Sequence, residues 1–372
     1  VKANPMVHEA SPAEPVEPGA ASRPPALASG MAVLLLAGGL YAALLVSVVL
    51  ATGLGPTAIS PWDTARYLWA AATGDSISAA EVTRYQIVAQ VRAPRVVLAA
   101  VVGGGLSAVG VAIQAMVRNA LADPFILGVS SGASVGAVTA SVTGGLAVLG
   151  IHALSGGAFI GALGASLLVY AASYNRGGMT PLRLVLTGVA LAFGFQAVMS
   201  VIIYFAPNSE ATSAVLYWTM GSFGAARWDA LPLVAAIVVL GTIMLRSRSR
   251  KLDVMALGDE TAASLGVDTA VLRRNLFILT AVMTGAMVAV SGAIGFVGLV
   301  VPHVVRLMIG AAHSRVLTIA PVFGALLMVW VDLLSRTVVP PRELPLGALT
   351  ALVGVPVFIV LLRRRGYLFG GR

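Results

Sequence analysis

The 372-residue chain has no cysteine and only two lysines, Lys2 and Lys251. Without thiols it can form no disulfide, and a thiolate-held zinc or iron–sulfur centre is excluded as well. Neither lysine lies in a G-x-x-x-x-G-K-[ST] segment, so no phosphate-cradling P-loop can be built. Nucleotide hydrolysis of that kind would belong to another polypeptide. Charge is scarce too: 10% of the residues are Asp, Glu, Lys or Arg, against roughly 25% in a soluble domain. Apolar residues make up 58%. That balance rules out a water-soluble enzyme with one compact core.

What the chain does have is long apolar runs. A helix that crosses a bilayer needs roughly 20 mostly apolar residues. Such stretches fall near 31–52, 93–117, 126–145, 152–173, 181–206, 228–246, 275–294, 296–309, 316–338 and 346–362. The expected fold is an all-α polytopic membrane protein with about ten transmembrane helices and both termini on one side. The eighth stretch is short and opens on Gly295, Phe296, Val297 and Gly298 before Pro302, which predicts a tilted or broken helix. With the N-terminus inside, 17 of the 24 Lys and Arg fall on the cytoplasmic side and 7 outside. This bias puts both termini in the cytoplasm. It also accounts for the formal charge of +9 without nucleic acid.

Three segments follow from this reading. Residues 1–30 hold six prolines and no apolar period, and read as a disordered cytoplasmic tail. Residues 31–366 form the transmembrane domain, interrupted by a long polar inside loop at 248–275, and 367–372 form a cytoplasmic C-terminal end. Outside the membrane, Pro61–Trp69 mixes aromatics and charges at near-helical spacing, as an interfacial helix or a substrate-contacting lid would.

Few residues carry chemistry. Gly128-Val129-Ser130-Ser131-Gly132 matches G-x-S-x-G, but that elbow needs a strand before its serine. An intramembrane serine hydrolase would pair Ser130 or Ser131 with His303 or His152. The alternative is packing: Gly128, Gly132 and Gly136 recur every four residues, and Gly157 and Gly161 repeat the spacing. An ion-coupled secondary transporter would need membrane-embedded carboxylates, and Asp332 is the only acidic residue well inside a span. In the 248–275 loop, Gly258 and Gly266 bracket a short helix whose small residues Ala262, Ala263 and Ser264 suit a partner's groove or an ordinary solvated loop.

The order of motifs decides more than any one of them. Arg92-Ala93-Pro94-Arg95 opens a helix that ends in the run Gln114 to Pro124 and leads into Leu127–Ala133. The Gly258–Gly266 loop follows, then Gly292 to His303, Glu343–Gly347 and Gly354–Phe358. From residue 31 onward this set resembles the permease subunit of ABC importers for iron chelates (ferric siderophores), haem and vitamin B12, the type II importer permease family. The resemblance implies a vitamin-B12-importer-permease-like fold in the inner (plasma) membrane of a bacterium. It implies two permease subunits, expected as a homodimer, with the path between them, two ATP-binding cassette subunits below and an extracytoplasmic substrate-binding protein outside. ATP and Mg would sit on the ATPase, with no cofactor, metal or catalytic residue on this chain.

By the same resemblance, Gly258, Ala262, Leu265 and Gly266 fall on the helix that engages the ATPase. Arg92, Arg95 and Arg336 fall where the binding protein docks, although Arg336 is also an i,i+4 partner for Asp332. Asn119 and Leu121, with Thr180 and Leu182, fall at the cytoplasmic gate. Ala120 stands where the family often has proline, which implies a less rigid turn. The expected cargo is an iron chelate such as a ferric siderophore, with haem or cobalamin as alternatives. The four histidines form no pair that would mark a haem relay.

Overall fold

The computed structural model describes residues 30–175, 178–205 and 218–364. The expected tail, apart from Gly30, and the C-terminal end at 367–372 lie outside the described residues. Helix α1 (Gly30–Gly53) is followed by the short α2 (Pro61–Thr73). α3 (Val82–Gln86) then runs through a π-helical turn, Ile87–Arg92, into α4 (Ala93–Val117). After α5 (Val129–Thr143) and α6 (Ala153–Ser173), a two-residue hairpin of β1 (Tyr174–Asn175) and β2 (Gly178–Met179) leads to α7 (Pro181–Tyr204). The remainder comprises α8 (Leu231–Ser247), α9 (Ser249–Ala256), α10 (Asp259–Ser264), α11 (Thr269–Ser291), α12 (Val297–Ile309), α13 (His313–Thr337) and α14 (Leu346–Arg364).

Ten of these helices coincide with the ten apolar stretches, and the protein is an all-α polytopic membrane protein. Six, counting α3–α4 as one, are long and apolar enough to cross a bilayer unaided. α5, α12 and α14 are shorter, and α8 meets α9 at a bend of 59°. The seventh stretch starts earlier than its hydropathy indicates. The Asp268 carboxylate accepts the Val271 N–H at 3.0 Å and starts α11 at Thr269, drawing Arg273 and Arg274 into the helix. The polar loop expected over 248–275 therefore ends at Asp268 and contains α9 and α10.

α4 is the central post, buried along nearly its whole length. Its glycines let neighbouring backbones come close. A Cβ on Gly104 would stand 3.0 Å from the Pro321 carbonyl of α13, and one on Gly110 would overlap the Gly298 carbonyl of α12. α5 and α6 close on each other in the same way. A Cβ on Gly157 would come within 2.6 Å of both Ala140 Cβ and the Gly136 carbonyl, and one on Gly161 would overlap the Gly132 carbonyl. The four-residue glycine spacing is thus a helix-packing device.

α11 ends at Gly292, whose φ of 66° breaks the helix, and an unwound stretch runs to Phe296. Phe296 adopts a left-handed φ of 67°, a strained conformation for a bulky side chain, and opens the short α12. The eighth stretch, expected as a tilted or broken helix, is the short α12, which runs unbroken through Pro302; the break lies before it, between Gly292 and Phe296. Outside, α2 is capped by Ser60 and packs on the end of α1, where a Cβ on Gly53 would lie 2.6 Å from Thr64 Oγ1. Its Arg66 pairs with Glu81, whose carboxyl is held below its ordinary range by the Ser78 hydroxyl and then by that guanidinium.

Candidate functional site

At the outer end the structure gathers the three arginines into one cluster. The π-helical turn before Ala93 carries Arg92 toward α1, where Nη1 donates to the Gly53 carbonyl at 2.8 Å and Nη2 to the Thr57 carbonyl at 2.8 Å. Arg336, on α13, donates to the carbonyls of Leu54, at 2.8 Å, and Ala51. The last carbonyls of α1 have no helical partners, and they carry the negative end of its dipole. Two guanidinium groups satisfy them.

The third arginine binds carboxylates. Arg95 donates through Nε to Asp332 Oδ1 at 2.7 Å and through Nη1 to Glu343 Oε1 at 2.6 Å. Arg336 Nε takes the other oxygen of Asp332 at 3.3 Å. Asp332 is fully buried, and Arg92, Arg95 and Arg336 are each 7% exposed. The residues expected to dock a binding protein are therefore buried and bonded inside the chain. The i,i+4 pairing of Arg336 with Asp332 is present. Both oxygens of Asp332 are held by guanidinium groups, the arrangement of a structural carboxylate rather than a proton carrier.

At the other end, the Asn119 carboxamide accepts the Leu121 N–H at 2.8 Å. The turn is closed by this side chain, with Ala120 buried beneath it. Leu121 is exposed. Thr180 caps α7, accepting the Arg183 N–H at 3.4 Å, with Pro181 preset for the first helical turn and Leu182 exposed beside it.

Within the polar loop, Gly258 and Gly266 flank α10 with φ values of 112° and 78°. Gly266 donates to the Ala263 carbonyl and Val267 to the Ala262 carbonyl, at 3.0 and 2.9 Å, which closes the helix end. Ala262 is completely buried and fastens α10 to the body. The outward residues are Leu265, at 58% exposure, and Leu257 just before the helix, at 64%. Of the small face expected to meet a partner, only Ala263 and Ser264 point outward.

Sequence reasoning missed two residues here. Arg273 is buried at the start of α11 and donates to the carbonyls of Met179 (2.8 Å) and Met116 (3.4 Å) and to Asp259 Oδ1 (2.8 Å). The other oxygen of Asp259 lies 3.6 Å from Arg118 Nη2. The available signal was an acidic residue opening one short helix and an arginine pair opening the next.

The serine motif is not an elbow. Gly128 passes from a 3-10 turn, Pro124–Leu127, straight into α5, and Ser131 Oγ donates back to the Gly128 carbonyl at 3.0 Å. Among the described residues no group of three or more His, Asp or Glu is placed to hold a metal.

The model of the FecCD transport family matches residues 43–364. This chain belongs to the FecCD transport family. It shares 40% identity with the hemin transport system permease protein HmuU of Yersinia pestis over 304 residues, 81% of this chain and 88% of that one. It is 39% identical to the cobalamin import system permease protein BtuC of Halobacterium salinarum over 283 residues, 76% and 75% of the two chains. A solved structure described as an inward-facing conformation of a metal-chelate type ABC transporter superposes with a TM-score of 0.78 at 31% identity, covering 89% of this chain and all of that one. A FecCD family member is a transport permease and not an enzyme, which settles the serine motif as packing.

Proposed function

We propose that this chain is the membrane subunit of an ATP-driven importer, and that it forms the path for an iron chelate. A ferric siderophore is the preferred cargo, with haem or cobalamin as alternatives. The observation that carries this reading is the match over residues 43–364 together with the likeness to a metal-chelate transporter. ATP and Mg are assigned to a separate ATPase, because this chain lacks a P-loop. The bacterial inner membrane is the proposed location.

Leu257 and Leu265 form the outward apolar contact of the inside loop and are the surface proposed to meet that ATPase, with Gly258, Ala262 and Gly266 holding α10 in place. α7 turns Leu186, Phe193 and Val201 outward, a face suited to a second, identical permease subunit. Asn119–Leu121 and Thr180–Leu182 are proposed to narrow the cytoplasmic exit. Outside, three guanidinium groups stand against the carboxylates of Asp332 and Glu343. A positive excess of this kind attracts an acidic binding protein through its field, and exposed Arg227 and Arg342 offer direct contacts.

The test is uptake by liposomes holding this chain reconstituted with a partner ATPase and binding protein. ATP-dependent accumulation of labelled ferric siderophore, and not of haem or cobalamin, is expected. Uptake without ATP would replace this reading with an ion-coupled one. Replacing Ser130 and Ser131 with alanine should leave uptake intact.

A further inference from the structure

Arg273 belongs to none of the motifs that carry the family likeness, yet its guanidinium joins three separate parts of the cytoplasmic side. Met116, whose carbonyl it reaches, lies in the last turn of α4, three residues before Asn119. Met179, whose carbonyl it also holds, immediately precedes Thr180. Asp259, its third partner, is the first residue of α10. The Arg273 side chain is only 4% exposed. Burying a charged guanidinium is costly unless its donors are placed, and here each nitrogen has an acceptor on a different element.

The geometry of the group matters as much as its charge. A guanidinium is planar, and its N–H directions are fixed relative to one another. When one acceptor shifts, the plane must tilt, and the other two bonds tilt with it. A lysine ammonium on a flexible stem would follow one partner and release the others. Asp259 strengthens the link, because its second oxygen faces Arg118 in the same α4 turn. α10 is only six residues long, between Gly258 and Gly266, and the 2.8 Å bond from Asp259 to Arg273 is its charged tie to α11.

We infer that Arg273 is the positioning residue that carries a displacement of α10 to both cytoplasmic turns at once, Asn119–Leu121 through Met116 and Thr180–Leu182 through Met179. The inference rests on the proposal that α10 meets the ATPase and that these two turns narrow the exit. It adds the mechanical element between them. Asp259 is the grip on α10, and Arg273 is the rigid fork.

This chain has no cysteine, so thiols introduced into it can be labelled without background before the ATPase is added. Leu121 and Leu182, both exposed, are replaced by cysteine and spin-labelled, and their separation is measured by pulsed electron paramagnetic resonance in the complete permease–ATPase complex with and without MgATP. With Arg273 in place the separation is expected to change on adding MgATP. No change in that native background would overturn the gate and coupling assignments themselves, whatever Arg273 does. In Arg273→Gln, the complex should assemble and hydrolyse ATP while the separation stays at its nucleotide-free value. Arg273→Lys should fail in the same way, because one ammonium nitrogen cannot reach three acceptors that are placed for three separate guanidinium nitrogens. A nucleotide response in Arg273→Gln, or its full return in Arg273→Lys, would overturn the proposal. Should Arg273→Gln not assemble, Asp259→Ala removes the acceptor at a partly exposed position, and its normal nucleotide response would equally overturn the proposal.

Discussion

Arg95 and Asp332 are 237 residues apart in sequence and meet at 2.7 Å where α4 and α13 reach the outer surface. Around this pair the end of α1, the π-helical turn and the Glu343 loop are all fastened. The outer face is held by charge and backbone carbonyls, whereas the membrane interior is held by glycine-mediated approach.

Asp332→Ala should destabilise the protein by about 3–5 kcal/mol, because it leaves Arg95 and Arg336 buried without their shared carboxylate. Replacing the pair together, as Arg95→Met with Asp332→Leu, should cost less than the two single changes added. Arg95→Glu sets a third carboxylate beside Asp332 and Glu343 and should yield no folded protein. Thermal unfolding in detergent checks the first two, and failure to recover a monodisperse protein checks Arg95→Glu; a mild Asp332→Ala would show the cluster to be dispensable.

Gly136→Ala should lower stability by about 1–3 kcal/mol, since the new Cβ overlaps the Gly157 carbonyl and stands 2.9 Å from Gly161 Cα. Gly164→Ala, with nothing within 4 Å of the added atom, should leave the melting temperature unchanged or slightly higher. Equal effects would deny the close α5–α6 approach.

Leu265→Asp and Leu257→Asp should release the ATPase from the purified complex while the permease keeps its melting temperature, because both side chains are exposed. Gly266→Trp has open space around it and a φ of 78°, so backbone strain of about 1–2 kcal/mol is its main structural cost. Uptake should nonetheless fall with the fold intact. Full transport by Gly266→Trp would remove this end of α10 from the ATPase contact.

Asp123 titrates in an unusual range. Its carboxylate accepts the Phe125 N–H at 2.9 Å and the Phe296 N–H, but burial pushes its pKa up to about 6. A folded-state value above the unfolded one means that the native protein binds more protons between the two. Stability then falls as pH rises from about 4 to about 6, by up to about 3 kcal/mol from this group. Asp123→Asn should abolish that slope. Melting curves of both proteins from pH 4 to 7 should diverge with rising pH, the variant becoming the more stable.

The helices were legible because a run apolar enough to cross a bilayer shows in hydropathy wherever its side chains end. Those of α7 end outward and those of α4 packed among other helices, and each long apolar run became a helix. Partners were not legible. Arg273 sits in the polar run Leu272-Arg273-Arg274-Asn275, which reads as the end of a loop. It is buried because carbonyls from Met116 and Met179, more than 90 residues away, converge on it. Arg92, Arg95 and Arg336 read as outward charges for the same reason: their acceptors lie on α1, α13 and the Glu343 loop. Ala262 looked like a small contact surface, but only the register of α10 could reveal that it faces inward.

The clamp on α1 bears on how this protein can vary. Arg92 and Arg336 grip main-chain oxygens, so these two bonds do not depend on the side chains of α1. The other side of the attachment does: Val33, Ala37 and Ala51 are buried, and Ser47 accepts from Trp330 Nε1 at 3.1 Å. Only the outward positions, such as Leu34, Leu35, Leu45 and Val46, can be rewritten to suit a thicker, thinner or differently composed bilayer.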